Sequence, residues 1–136
     1  MYVVGIGWHR YQDMSDTSYV TLGLKAVRDA LADARLEWPV IESSYVGTAL
    51  LGMACGRPML RHLGALGAPI VHIENASASS SAAFRHACIE VGAGMADVAL
   101  AMGVDKAGPL FSGEKQTGIA QLAANEVVPA THFALL

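Results

Sequence analysis

The stretch of the chain best suited to chemistry is Asn75-Ala76-Ser77-Ala78-Ser79-Ser80-Ser81. It follows the apolar run Pro69-Ile70-Val71-His72-Ile73-Glu74, which reads as a strand. It leads into a helical pattern with Ala83, Phe84, Ala87, Cys88 and Val91 on one face. Ser77 therefore stands at or near a helix N-terminus, where free backbone N–H groups and the helix dipole favour developing negative charge. Chemistry in which negative charge develops is what such a place supports. The plain alternative for Ser77 is an N-cap or turn residue, a position serine favours for its bond to backbone N–H. Asn75 likewise divides between a turn-stabilising side chain and a polar group lining a site.

Other candidates carry weaker signals. His86 and Glu90 are four residues apart on the same helical pattern and share a face, but a metal site takes three or four ligands, so a solvated or interfacial pair is expected and no metal site. Cys55 and Cys88 have no CxxC spacing and are expected to be reduced, buried thiols. Cys55 sits in a glycine-bounded loop. Arg57 and Arg61 divide between phosphate contacts and surface or dimer charges. His72 and Glu74, on a strand pattern, are expected to meet a neighbouring strand or subunit. Gly5-Ile6-Gly7-Trp8 lacks the third glycine of a dinucleotide fingerprint. Gly103-Val104-Asp105 reads as a turn that shapes a cleft.

The elements that must position these residues follow from apolar periodicity. A first strand is expected at about residues 2–7. A helix over 17–35 follows, capped by Asp16 or Thr17, with Val20, Leu24, Val27, Leu31 and Ala34 facing inward and Pro39 beyond its exit. A second strand is expected at 45–50, a loop at 52–56, and a helix from Pro58 that Gly67 stops. Strands at 69–74 and 98–103 flank the serine-led helix, which Gly92 and Gly94 end. Residues 107–136 read as an excursion with a helix near 119–126. Strands alternating with helices predict an α/β fold: a mostly parallel sheet with right-handed crossovers and helices on both faces. Its ligands should collect beyond the carboxyl ends of the strands, at Gly7-Trp8, Gly47-Thr48, Asn75-Ala76-Ser77 and Gly103-Val104-Asp105.

Composition narrows the classes. With 53% hydrophobic and 15% charged residues among 136, the chain has globular composition but little charge to solvate its whole surface, so part of it is expected to be covered by a partner. A net charge of −3 argues against a nucleic-acid backbone binder. There is neither an apolar run of about 18 residues nor a basic leader at the N-terminus, so the expected location is cytoplasmic.

The segments Gly56-Arg57-Pro58-Met59-Leu60 through Leu63-Gly64, and Pro69 through Phe84, together with Tyr45-Val46-Gly47 and Ala101-Met102-Gly103-Val104-Asp105-Lys106, resemble the thiolase superfamily. The likeness is to its sterol-carrier-protein and lipid-transfer-protein branch. It implies that residues 1–106 are an N-terminal βαβαβ sheet domain and that 107–136 begin the inserted loop domain, with the C-terminal half absent. The family's nucleophilic cysteine falls on Ser77, and a customary glycine falls on Ser80. A serine hydroxyl needs a positioned base where a thiol needs little help. The resemblance therefore points to the aldolases of steroid side-chain degradation, which cleave a β-hydroxyacyl-CoA by retro-aldol chemistry without an acyl-enzyme. It implies Ser77 as a backbone oxyanion donor, Asn75 and Ser79 as substrate-binding residues, no cofactor beyond the CoA thioester substrate, a homodimer, and a small zinc-containing OB-fold partner. The base, a tyrosine of the second half, is then none of Tyr2, Tyr11, Tyr19 or Tyr45. Two alternatives stay open: a non-catalytic or truncated assembly subunit, and an acetyl-CoA acyltransferase with Ser77 in place of its cysteine.

Overall fold

A computed structural model describes residues 1–11 and 16–106, and residues Met1–Lys106 form one compact unit. The excursion expected over 107–136, with its helix near 119–126, lies outside the described residues. The elements run α1 (Tyr19–Ala34), β1 (Ser43–Gly47), α2 (Gly56–Leu60), β2 (Ile70–Ile73), α3 (Ser79–Gly92) and β3 (Ala99–Gly103), with single 3₁₀ turns at Trp38–Val40 and Arg61–Leu63. The three strands form a parallel sheet in the order β2-β1-β3. β1 is central: Val46 lies opposite His72 on one side and Met102 on the other.

The pleat assigns the two faces. Ser43, Tyr45 and Gly47 of β1 meet α3, through Glu90, His86 and Ser79 respectively. The alternate residue Val46 points the other way, into a core with Val27 of α1, Met59 and Leu60 of α2, Trp38 and Leu100. Gly23 of α1 lets the helix approach that core, since a Cβ there would collide with the Met59 sulfur. The indole N–H of Trp38 donates to the Gly64 carbonyl at 3.0 Å and ties the segment before β1 to the connection between β1 and β2. Both faces are thus covered, which a wholly parallel sheet requires.

The elements depart from expectation in instructive places. The N-cap of α1 is Ser18, whose hydroxyl accepts from the Val20 amide at 3.1 Å, and not Asp16 or Thr17. β1 begins two residues earlier than its apolar run because Ser43 and Ser44 are buried within the sheet. The helix after Pro58 is shorter than expected, passing into a 3₁₀ turn and ending at Gly64 with φ 118°. The strand expected at 2–7 does not form. Ile6 donates its amide to the Asp33 carboxylate of α1 at 2.9 Å, Gly5 and Gly7 lie against Ala30 and Ala26 of that helix, and Tyr2, Val3 and Ile6 remain exposed. A cavity of about 630 Å³ lies between this segment and β3. An apolar run becomes a strand only where an edge meets its backbone, and here that distance is left open.

At Gly47 a Cβ would sit 2.5 Å from the backbone carbonyl of Ser79 and 2.6 Å from the amide nitrogen of Ser80. Helix backbone cannot yield as a side chain can. Gly47→Ala is expected to destabilise the protein by about 1–3 kcal/mol, read as a lowered urea midpoint at unchanged m-value.

Candidate functional site

The site is built where the three parallel strands end. After β2 the chain turns through residues 74–78 into α3, with Ala76 in the left-handed region at φ 46°. A non-glycine residue in that conformation is strained, and here the neighbouring bonds enforce it. The Ala76 amide donates to Glu74 Oε1 at 2.7 Å, the Ala78 amide to the Asn75 carbonyl at 2.9 Å, and the Ser79 amide to the Ala76 carbonyl at 3.2 Å. Ser79 is only 3% exposed, and its hydroxyl accepts from the Asn75 amide at 2.8 Å while donating to the Ala76 carbonyl at 2.7 Å. Ser79, expected to contact substrate, thus spends its hydroxyl on the turn.

Ser77 is exposed, with its hydroxyl in no hydrogen bond among the described residues. It is not the N-cap. That position belongs to Ala78, which offers no capping side chain. Asn75 is exposed beside it. Ser80 occupies the room that Gly103 leaves, since a Cβ at 103 would stand 2.6 Å from the Ser80 Cβ. Gly47 and Gly103 together let the first turn of α3 settle onto the sheet, directing the Ser77 turn beyond its carboxyl end.

The loop after β1 adjoins this turn. Its first amide, Thr48 N–H, donates to the Ile73 carbonyl at 3.1 Å, and at its far end the Gly56 amide donates to His72 Nε2 at 2.9 Å. Asp105, just past β3, accepts from the Thr48 hydroxyl at 2.6 Å and from the amides of Ala49 and Leu50, each at 2.9 Å. The expected turn at Gly103-Val104-Asp105 does not form: Gly103 ends β3 and the chain runs on without a turn, but the Asp105 carboxylate organises the neighbouring loop. That role had no motif to announce it. The one available signal is an acid directly after a strand that lies beside a strand ending in threonine.

Titration is perturbed at three places. Burial pushes the Cys55 thiol up, the Asp105 charge adds to this, and a hydrogen bond with Thr48 opposes it. The outcome is an unreactive thiol, and Cys55 is 3% exposed, a packing residue. Burial, then the nearby Arg57 cation, holds the His72 imidazole below its ordinary value. Burial raises Tyr45, as do the hydrogen bond with Glu90 and its charge. His86 and Glu90 do share a face, but that face meets β1: Ser43 donates to Glu90 Oε2, and His86 stacks on Tyr45 with ring centroids 6.1 Å apart. His86 is exposed, as expected of a solvated residue, whereas Glu90 is partly buried by its bond with Ser43. Arg57 and Arg61 lie at opposite ends of α2 and its 3₁₀ extension, Arg57 close enough to His72 to act on its charge.

With this geometry in view, the comparisons are informative. Residues 6–129 match the thiolase N-terminal domain, and the chain belongs to the thiolase family. Sterol carrier protein 2 of Gallus gallus is 34% identical over 83% of this chain and 22% of that protein. Benzoylsuccinyl-CoA thiolase subunit BbsB of Thauera aromatica is 31% identical over 77% of this chain and 28% of that protein. The chain thus spans less than a third of the length of these relatives. Among solved structures, the Ltp2-ChsH2(DUF35) aldolase shares the fold at a TM-score of 0.69, with 23% identity over 97% of this chain and 35% of that chain.

Two predictions follow from the turn and the loop. Ser79→Ala leaves the Asn75 amide without its acceptor and is expected to cost about 1–3 kcal/mol of stability, measured by denaturant unfolding. For His72, the folded protein holds the proton less tightly than the unfolded chain. The stability contribution of the neutral ring is therefore full above the ordinary imidazole value of 6.5 and is lost as pH falls from there through the lower folded value. His72→Gln should flatten that part of the stability–pH curve, as read by thermal unfolding across it.

Proposed function

We propose that this chain is the N-terminal part of a thiolase-fold enzyme acting on CoA thioesters, and that its reaction is retro-aldol cleavage of a β-hydroxyacyl-CoA. One observation carries the reading: an exposed serine hydroxyl at position 77, on the strained Ala76 turn, with no base bonded to it among the described residues. A serine hydroxyl is a far weaker nucleophile than the thiolate that the resemblance puts at this position, which supports a reaction without an acyl-enzyme. Retro-aldol cleavage has no need of one.

In that reaction a base removes the β-hydroxyl proton and the Cα–Cβ bond breaks. The β-carbon leaves as a ketone or aldehyde, and the electron pair becomes the enolate of the thioester. Protonation of the enolate at Cα then releases a shorter acyl-CoA, with no net oxidation. What this chain contributes is the oxyanion environment. Ser79 and Ala82 donate back to Ala76 and Ala78, and the intervening amides of Ser80 and Ser81 are N-terminal donors without an intrahelical partner. The Ser77 amide, at the turn's edge, is assigned as the donor to the thioester oxygen. Asn75 is assigned to the same cleft. Neither a resident metal nor a further cofactor enters the proposed steps.

The base belongs to the remainder of the assembly, as does the rest of the cleft. The Ltp2-ChsH2 aldolase is by name a two-component enzyme, and BbsB is by name a subunit, which supports a second polypeptide as partner here. A homodimer of the thiolase-fold component, a small zinc-containing OB-fold protein as the second component and a steroid side-chain substrate complete the proposal. No helix among the described residues is long and apolar enough to cross a membrane.

The complete assembly, incubated with a β-hydroxyacyl-CoA, is expected to release a carbonyl compound and a shorter acyl-CoA in equal amounts, followed by liquid chromatography and mass spectrometry. Ser77→Ala should retain this cleavage within a few-fold, because the backbone donor survives. An acyl adduct on Ser77 in intact-mass spectra, or loss of all cleavage in Ser77→Ala with the fold intact, would sink the aldolase reading.

A further inference from the structure

The loop between β1 and α2, at the carboxyl end of the sheet, is fastened on both sides to groups at or near the ends of the neighbouring strands. The sheet order places it between the turn after β2 and the chain leaving β3. On the β3 side, a single carboxylate gathers its first residues. Asp105 takes three donors, from the Thr48 hydroxyl and the Ala49 and Leu50 amides, while the same hydroxyl accepts from the Leu51 amide at 3.2 Å. The Val104 amide donates to the Gly47 carbonyl at 3.0 Å and fixes the register of that attachment. On the β2 side the loop is bonded to Ile73 and His72, immediately before the Ser77 turn.

The loop's interior conformation is not self-sustaining. Gly52 and Ala54 both have positive φ, 74° and 62°, and the tip residue Met53 is 96% exposed. Leu51 packs against the core and Cys55 is part of it, so the exposed tip between them is placed by what holds its ends, this packing and the bonds there. Asp105 is itself exposed, and an exposed carboxylate is a weak contributor to global stability. The three short, charge-assisted bonds it makes are local and directional. Their effect is to set where the loop stands relative to Ser77.

We propose that Asp105 is a positioning residue for the thioester site: it fixes residues 48–51 beside the Ser77 turn, so that the loop forms one wall of the acyl-CoA cleft. The inference rests on the reading of the chain as part of a CoA-thioester enzyme, but the attachment and its consequence can be tested apart.

The experiment uses the complete assembly, with Asp105→Ala, Thr48→Val and Thr48→Ser beside wild type. Hydrogen exchange reads the attachment: Asp105→Ala and Thr48→Val should lose protection at least tenfold at Ala49, Leu50 and Leu51, with α3 unchanged and Thr48→Ser close to wild type. Calorimetric titration with acetyl-CoA and steady-state cleavage read the consequence. The Kd for acetyl-CoA and the KM for the β-hydroxyacyl-CoA should rise roughly tenfold in the first two variants, and Thr48→Ser should restore both. A purely structural role would lower the active fraction instead, reducing apparent kcat at unchanged KM, and that outcome overturns the proposal. Unchanged exchange at the loop amides overturns the attachment itself. If Asp105→Ala fails to fold, the Thr48 pair carries the same comparison. Wild-type protein that binds no acetyl-CoA while showing the expected exchange pattern overturns the functional reading and, with it, the role assigned to the loop.

Discussion

The close seat of α3 on the ends of β1 and β3 constrains everything at the functional end of this molecule. Gly47 and Gly103 admit the helix backbone and the Ser80 side chain to distances at which any Cβ would collide. Once the helix is that near, the chain leaving β2 has few residues in which to reverse direction. The left-handed Ala76 and the buried Ser79 hydroxyl are the local solution. Ser77 is exposed as a consequence of that solution, since the turn has used its neighbours' polar groups internally.

The same economy determines what chemistry the site can offer. The thiol nearest the sheet's carboxyl end, Cys55, is buried beside Thr48 and under the influence of the Asp105 charge, which keeps it protonated. The imidazole there, on His72, accepts from a backbone amide and is held neutral. Both groups serve the architecture. An exposed hydroxyl and a helix's first amides remain. Those can stabilise developing negative charge, which is the support that the proposed enolate reaction asks of this part of the chain.

Much of this was legible in the residues. Short apolar runs located the three strands that form, and the three- and four-residue recurrence of Val20, Leu24, Val27 and Leu31 located α1 and its inward face. The alternation implied a parallel sheet covered on both faces. Misreadings arose where a residue's role depends on what lies across space from it. Ser43 and Ser44 look like loop residues until β2 and β3 close over them. Residues 2–7 look like a strand until the edge beside them is found to be occupied by a cavity. Glu90 looks solvated until Ser43 meets it. Of the two plain alternatives for Ser77, it is a turn residue and not the N-cap, which is Ala78, and the buried hydroxyl of the turn is that of Ser79. Asp105 was assigned only a shape, because the three donors it collects come from residues more than fifty positions earlier.

The distribution of side chains on α3 bears on why so small a chain carries so little charge. Against the sheet the helix buries Ser79, Ala83 and Ala87, small residues suited to the close approach that the glycines permit. Its large apolar residues lie elsewhere: Phe84 is 50% exposed and Ile89 49%. An ordinary surface helix does the reverse, turning its bulk inward and its charge outward. Phe84 lines the cavity shared with residues 1–7 and β3, while Arg85 and His86 are exposed beside it, so the side of α3 away from the sheet mixes apolar and charged residues. In the proposed enzyme the exposed turn at Ser77 forms one part of the cleft, and the catalytic base comes from the remainder of the assembly.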